Sequence, residues 1–199
     1  MGSIVVSENV SLDGVVQDPI GDEGFRHGGW LRQAGDKNVA AWLQVGLDEA
    51  LRAKALLLGR RSYEYFAART PSLENGPAQI SAYARRMGSM PKYVLSSTLK
   101  DPEWSNTIVL TGDVEREVSK LKREFDGDIM VYASGQLVRT LMEHDLVDQL
   151  RLVIYPFALG TGERLFGEMT DKKRLRLVDS RTVGDGLALL TYDRVRVTQ

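Results

Sequence analysis

Apolar positions along the chain follow two rhythms. Continuous or alternating apolar runs predict strands at Ile4–Val10, Ala55–Leu58, Tyr93–Leu95, Thr107–Leu110, Ile129–Ala133, Leu150–Phe157, Arg174–Thr182 and Leu187–Val197. Helical spacing appears in DVEREVSKLKREF, where Val114, Val118, Leu121 and Phe125 share one face. Asp113 precedes that stretch as an N-cap, and Gly127 follows its end. Charged Glu115, Arg116 and Lys120 then read as its solvated face. Further helices are predicted over Asn38–Arg52, after Gly59 and after Gly135. The last two strands flank VGDGL, a turn that joins them as an antiparallel hairpin. Strands that alternate with helices and then close without them predict an α/β fold. The expectation is one domain over residues 1–199, a three-layer α/β/α arrangement with a mostly parallel sheet and an antiparallel C-terminal edge hairpin.

Two stretches lack either rhythm. Gln17–Gly35 holds five glycines and a proline among mixed charges, which predicts a long loop, either disordered or a lid over a site. Ala68–Pro91 contains the loose RTPSLENGPAQ, followed by a short helical piece.

Composition removes several functions. Lys plus Arg number 26 against 27 Asp plus Glu, so no general field draws the chain to nucleic acid or anionic membrane. There is no cysteine and only His27 and His144, which argues against disulfides, thiol catalysis and a multi-histidine metal site. The N-terminus lacks the pattern of a signal peptide, and no apolar run approaches about 18 residues. A cytoplasmic protein is expected.

Candidate chemistry gathers at three strand ends. LLLGRRSYE is a buried strand that breaks at Gly59 and becomes a helix, with Arg60 and Ser62 on its first turn. Helix starts at such ends offer N–H groups to anions, and Arg60 adds a bidentate fork, although a solvated corner is the plainer reading. KYVLSSTLKD ends a strand in Ser96 and Ser97, hydroxyls that either cap a turn or hold an anion. VYASGQL starts a helix after Ser134-Gly135, and the helix from Gln136 offers its first unpaired amides outward, an end that attracts a pyrophosphate. GTGERLFG begins like a dinucleotide fingerprint, but Leu165 replaces its third glycine and no βαβ unit follows. A tight connection is its expected role.

These segments, with SENVSLDGVVQ at the start and SGQLVRTLMEHDLVDQLRLVIYPFALGTGERLF later, resemble the dihydrofolate reductase fold. The closer likeness is to the branch typified by the C-terminal reductase domain of the riboflavin biosynthesis protein RibD. That resemblance implies an NADPH site. Gly59, Arg60, Ser62, Ser96 and Ser97 would hold the adenosine ribose and its 2′-phosphate, and Ser134, Gly135, Gln136 and Leu137 the pyrophosphate. Asp13, Gly14 and Val15 would border the nicotinamide. It implies reduction of a pteridine-like or aminopyrimidine substrate, of the 5-amino-6-(5-phosphoribosylamino)uracil type, and a homodimer. An NADPH-binding module without turnover is the alternative. The chain departs from dihydrofolate reductases in having Ala133-Ser134-Gly135 where they carry two or three glycines, and in lacking a clean match to their pterin-binding acid. Asp13 is therefore the candidate catalytic group, orienting a water, or else only a turn residue. Trp30 is either an aromatic lid over the substrate or an anchor for its loop, and His27 either a proton donor or a solvated side chain.

Overall fold

The computed structural model describes residues 1–167 and 169–195. Its sheet has eight strands in the order β4-β3-β2-β5-β1-β6-β8-β7. They are β1 Ser3–Ser11, β2 Ala55–Gly59, β3 Lys92–Leu95, β4 Thr107–Leu110, β5 Asp128–Tyr132, β6 Gln149–Tyr155, β7 Leu175–Val183 and β8 Leu187–Arg194. Every pairing from β4 across to β6 is parallel; β6 with β8, and β8 with β7, are antiparallel. The predicted α/β class and C-terminal hairpin are both present. Val197, where the last predicted strand was to end, lies outside the described residues.

Among the described residues there are six helices: α1 Trp30–Gln33, α2 Asp36–Arg52, α3 Arg60–Leu73, α4 Ala78–Ser89, α5 Val114–Glu124 and α6 Gly135–Glu143. Alternation along β1 sets the layers, because successive side chains leave opposite faces of a strand. Val6 and Val10 pack with Val118, Leu121, Val138 and Leu141 from α5 and α6. Val5 packs on the other face with Ala50 of α2, Tyr63 of α3 and Met87 of α4. Asp113 caps α5 as expected, its Oδ1 accepting from Arg116 N at 3.0 Å.

The loose stretch after Ala68 is more ordered than its composition suggests. α3 continues through Pro71 to Leu73, and α4 has twelve residues. Thr70 is buried, and Ser81 Oγ donates to Glu74 O at 2.6 Å, so packing carries the chain past a residue that cannot donate in the helix. No helix among the described residues is long and apolar enough to cross a membrane.

One register detail creates the site. β5 accompanies β1 only as far as the pair Tyr132↔Ser7, whereas β6 stays beside it to Tyr155↔Ser11. From Glu8 onward β1 therefore has no strand on its β5 side. β2 meets β5 through only two register pairs, Ala55↔Ile129 and Leu56↔Met130. A crevice opens where the carboxyl ends of β2, β3 and β5 stop and β1 runs on, the usual ligand position in an open α/β sheet.

Candidate functional site

A cleft of about 1210 Å³ fills that crevice. Its centre is the turn from β5 into α6. Ala133 takes φ 47° there, a left-handed conformation that costs a residue with a side chain about 1–2 kcal/mol. Neighbours hold it in place. Ser62 Oγ donates to Ala133 O, and Ser134 Oγ donates to Tyr132 O at 3.0 Å while accepting from Gly59 N at 3.3 Å. Ser134 N donates to Glu8 Oε1 at 3.2 Å. With its hydroxyl turned back, Ser134 does not cap α6. The helix start is left without a side-chain cap, and Gly135, Gln136 and Leu137 all line the cleft. Ser62 and Ser134 line it too, but their hydroxyls are already committed to holding the turn.

At one end, the side chains expected for a 2′-phosphate come together. Arg60 Nε donates to Glu64 Oε1 at 2.7 Å and Nη1 to Thr98 Oγ1 at 2.7 Å, with the guanidinium half exposed. Ser96 Oγ accepts from Thr98 N and Leu99 N, which shapes the loop that presents exposed Ser97 and Thr98. Gly59, Arg60, Ser96, Ser97 and Thr98 all line the cleft. Thr98, the threonine that follows the two serines, aims Arg60 together with Glu64.

The other end is walled by the Gln17–Gly35 loop, which is ordered around a single carboxylate. Buried Asp18 Oδ1 accepts from Gly21 N, Asp22 N and Glu23 N at 2.9, 2.7 and 3.1 Å, and Oδ2 from Phe25 N at 3.1 Å. Gly28 is obligatory beside it, since a Cβ there would stand 2.3 Å from Asp18 Oδ2. Asp18 and Gln17 line the cleft. Two residues expected over a substrate do not. Trp30 is 1% exposed, donates from Nε1 to Gln17 O at 3.0 Å and meets the Tyr155 ring edge-on at 5.1 Å. It is the anchor of the loop, because an indole buries more apolar surface in the core than a wet lid allows. His27 is exposed and packs on Phe25 outside the cleft.

Asp13 and Val15 also depart from expectation. Val15 is fully buried and bridged to Arg164, so its neighbour Val16 supplies the cleft wall. The Asp13 carboxylate accepts from Leu159 N at 3.0 Å, Ser11 Oγ at 2.7 Å and Gly160 N at 2.7 Å, away from the cleft. It ties the β1 turn to the GTGERLF connection, whose Leu165 N donates to Gly14 O. The Leu159 amide, Ser11 and the Gly160 amide hold its carboxyl down at about 2. Asp13→Asn should therefore cost stability, about 1–2 kcal/mol, with cofactor affinity unchanged. The folded value lies below the ordinary 3.8, so this stabilisation is complete above about pH 4 and is lost as pH falls toward 2. Urea unfolding of both proteins at pH 7 and pH 2.5 checks it: the gap should narrow in acid.

Among the acids that line the cleft, beside Asp18, Asp22, Glu23 and Glu163, are the buried Glu8 and Glu49, neither marked from the sequence. Glu8 is 7% exposed, and burial lifts its carboxyl to about 8 against the opposing pull of Ser134 N–H. Glu49, on the last turn of α2, is pushed up by burial against the pull of Ser7 and Arg151. The available signal was Ser7-Glu8-Asn9, three consecutive polar residues between the apolar Ile4–Val6 and Val10. No group of acids and histidines among the described residues could hold a metal.

Comparison with known proteins agrees with the fold. The Bacillus subtilis (strain 168) protein YyaP is 26% identical over 189 residues, covering 95% of this chain and 93% of its own. A putative riboflavin biosynthesis protein from Shewanella sp. PV-4 superposes with a TM-score of 0.73 at 24% identity, over 98% of this chain and 99% of that one. Dihydrofolate reductase from Enterococcus faecalis, solved with NADP(H) and RAB-propyl, superposes with a TM-score of 0.54 at 13% identity over 96% of each chain. The match of residues 3–189 to the RibD C-terminal domain model places the chain in the RibD C-terminal domain family.

Proposed function

We propose that the protein is an NADPH-dependent reductase of a small pteridine-like or aminopyrimidine substrate. The observation that carries this reading is the continuity of the cleft. One space joins the Arg60–Thr98 corner, the uncapped start of α6 and two buried carboxyls. At about 1210 Å³ it exceeds the roughly 300–1,000 Å³ typical of one small ligand, which leaves room for a cofactor and a substrate together.

The residues fit the cofactor. Arg60 is already oriented by Glu64 and Thr98, so a 2′-phosphate meets a prearranged fork beside Ser97. Gly135 keeps the backbone approachable: a Cβ there would have its nearest neighbours at 3.9 Å. Amides of Gly135, Gln136 and Leu137 at the α6 start suit a pyrophosphate. Bound NADPH would supply a hydride. The chain would then supply a proton to the heteroatom left negative, and Glu8 takes the place expected of Asp13, since it lines the cleft and holds its proton at neutral pH. Half-exposed Leu177 and Val178 on edge strand β7 support pairing of two copies.

Arg60→Ala tests the cofactor assignment. NADPH affinity should fall roughly tenfold, the loss of about one charged hydrogen bond, while NADH affinity changes little. Fluorescence titration with both cofactors measures this, and equal losses would reject the assignment. Oxidation of NADPH, followed at 340 nm with a panel of heterocycles, separates a reductase from a binding module.

A further inference from the structure

The GTGERLF connection after β6 is pinned to the β1 turn and to the loop that follows it. Glu163 O accepts from Val16 N at 2.9 Å, Glu163 N donates to Gln17 Oε1 at 3.0 Å, and Arg164 Nε donates to Asp13 O at 2.9 Å. Gly162 closes this frame at φ 116°, where a Cβ would stand 2.8 Å from Val15 Cγ1. What the frame presents to the cleft is a carboxylate. Glu163 lines the cleft, and its Oε1 lies 3.9 Å from where a Cβ on Gly135 would stand.

That carboxylate is also the counter-ion of Arg139. Arg139 Nη2 donates to Glu163 Oε1 at 2.6 Å, and Nη1 donates to Arg164 O at 3.1 Å. Arg139 stands one turn beyond Gly135 on α6 and lines the cleft too. Helical side chains lean toward the N-terminus, which brings its guanidinium back toward the helix start. α6 has no side-chain cap and no acid of its own in its first turn. An acid from a distant connection and a cation from the next turn therefore meet beside the amides that suit a pyrophosphate. The carboxylate is favourable to the free helix start and to the guanidinium, but it is a like charge to two phosphates. The guanidinium is as good a partner for phosphate as for carboxylate. Both side chains are partly exposed, 27% and 44%, so their pairing is weak enough to be exchanged.

We propose that Arg139 is a further cofactor-binding residue whose charge Glu163 masks in the free protein, and that dinucleotide binding exchanges the carboxylate for a phosphate at Arg139. The proposal rests on the cofactor part of the reductase reading, because the phosphates are those of the dinucleotide.

Calorimetric titration of NADPH, NADH and inorganic pyrophosphate into the whole protein tests it. Glu163→Gln should tighten all three about threefold or more, and its melting temperature should fall slightly because the free protein loses an ion pair. A Glu163 that only braced the connection would lose affinity and stability together. Arg139→Met added to Glu163→Gln should weaken all three about tenfold relative to Glu163→Gln alone. If melting shows that double variant to be unfolded, Arg139→Gln on the same background takes its place with the same expectation. Equal binding by the single and double variants would mean that Arg139 only answers Glu163, and would overturn the proposal. NADPH binding by the wild type with no gain in folded Glu163→Gln removes the proposal and leaves the cofactor reading. Pyrophosphate binding that tightens in Glu163→Gln, without NADPH binding, keeps the exchange at Arg139 and removes the reductase reading. A folded wild type that binds neither overturns both.

Discussion

Gly135→Asp should abolish binding of both NADPH and NADH, with affinity falling at least about a hundredfold, while the protein stays folded. The fold tolerates the change for local reasons. Gly135 is the first residue of α6, its φ is not in the left-handed range, and an added Cβ meets nothing closer than 3.9 Å. A carboxylate in the first turn of a helix is favourable by about 0.3–1 kcal/mol, so melting should not drop. The same carboxylate satisfies the amides that a pyrophosphate would need and repels both of its phosphates across a partly buried space. Losing a few converging contacts and gaining a like charge makes the effect larger than for Arg60→Ala, and it does not distinguish the two cofactors. Retained cofactor affinity in a variant that melts like the wild type would mean that the start of α6 is only a turn.

Features that reside in a short segment were legible in the sequence. Strand runs such as Leu56–Leu58, buried on both faces, announce themselves by unbroken apolar composition. The three strand ends were legible for the same reason: Gly59-Arg60, Ser96-Ser97 and Ser134-Gly135 each carry their turn chemistry locally, and all six line one cleft. What failed were inferences from segment character to position. Asp13 sits in a good turn motif, but its carboxylate is drawn to amides 146 and 147 residues away. Trp30 lies in a polar, glycine-rich loop, yet its ring belongs to the core beside Tyr155.

Long-range assembly hid the rest of the site. Glu49 looks like one more charge near the end of an amphipathic helix, and only the packing of α2 against β1 and β5 buries it beside Tyr132. Asp18 reads as a loop aspartate, and its four amide donors are visible only once the loop has closed. Glu8 is the exception that could have been found. A charged residue in the middle of a predicted core strand is either an error of assignment or a buried functional group. Here the strand is real, so the second reading holds weight.

Glu8 gives the other large expected result, a stability that falls with rising pH and is rescued by Glu8→Gln. Its carboxyl has a folded value of about 8 against an ordinary 4.5, chiefly because burial disfavours the charge, with Ser134 N–H opposing. Below about pH 4.5 it is protonated in both states and contributes no difference. Between there and about pH 8 the folded protein keeps a proton that the unfolded chain has released, so each pH unit removes up to about 1.4 kcal/mol of stability. Above pH 8 both states are ionised and the penalty is constant, on the order of 5 kcal/mol in total. Glutamine preserves the acceptor for Ser134 N and the shape of the strand, but carries no charge to bury. Its stability profile should therefore rise relative to the wild type from pH 5 to pH 8 and run parallel beyond. Cofactor binding should move the same way. The wild type should lose NADPH affinity above pH 8, when a carboxylate ionises beside the start of α6, and Glu8→Gln should not. On a substrate that the wild type reduces, the variant should turn over slowly at every pH, because an amide has no proton to give. Denaturant melts and NADPH titrations at half-unit steps from pH 5 to 9 read both effects. Stability curves that stay parallel across that range would show that Glu8 is already ionised in the folded protein, and the proton donor would then have to be sought elsewhere in the cleft.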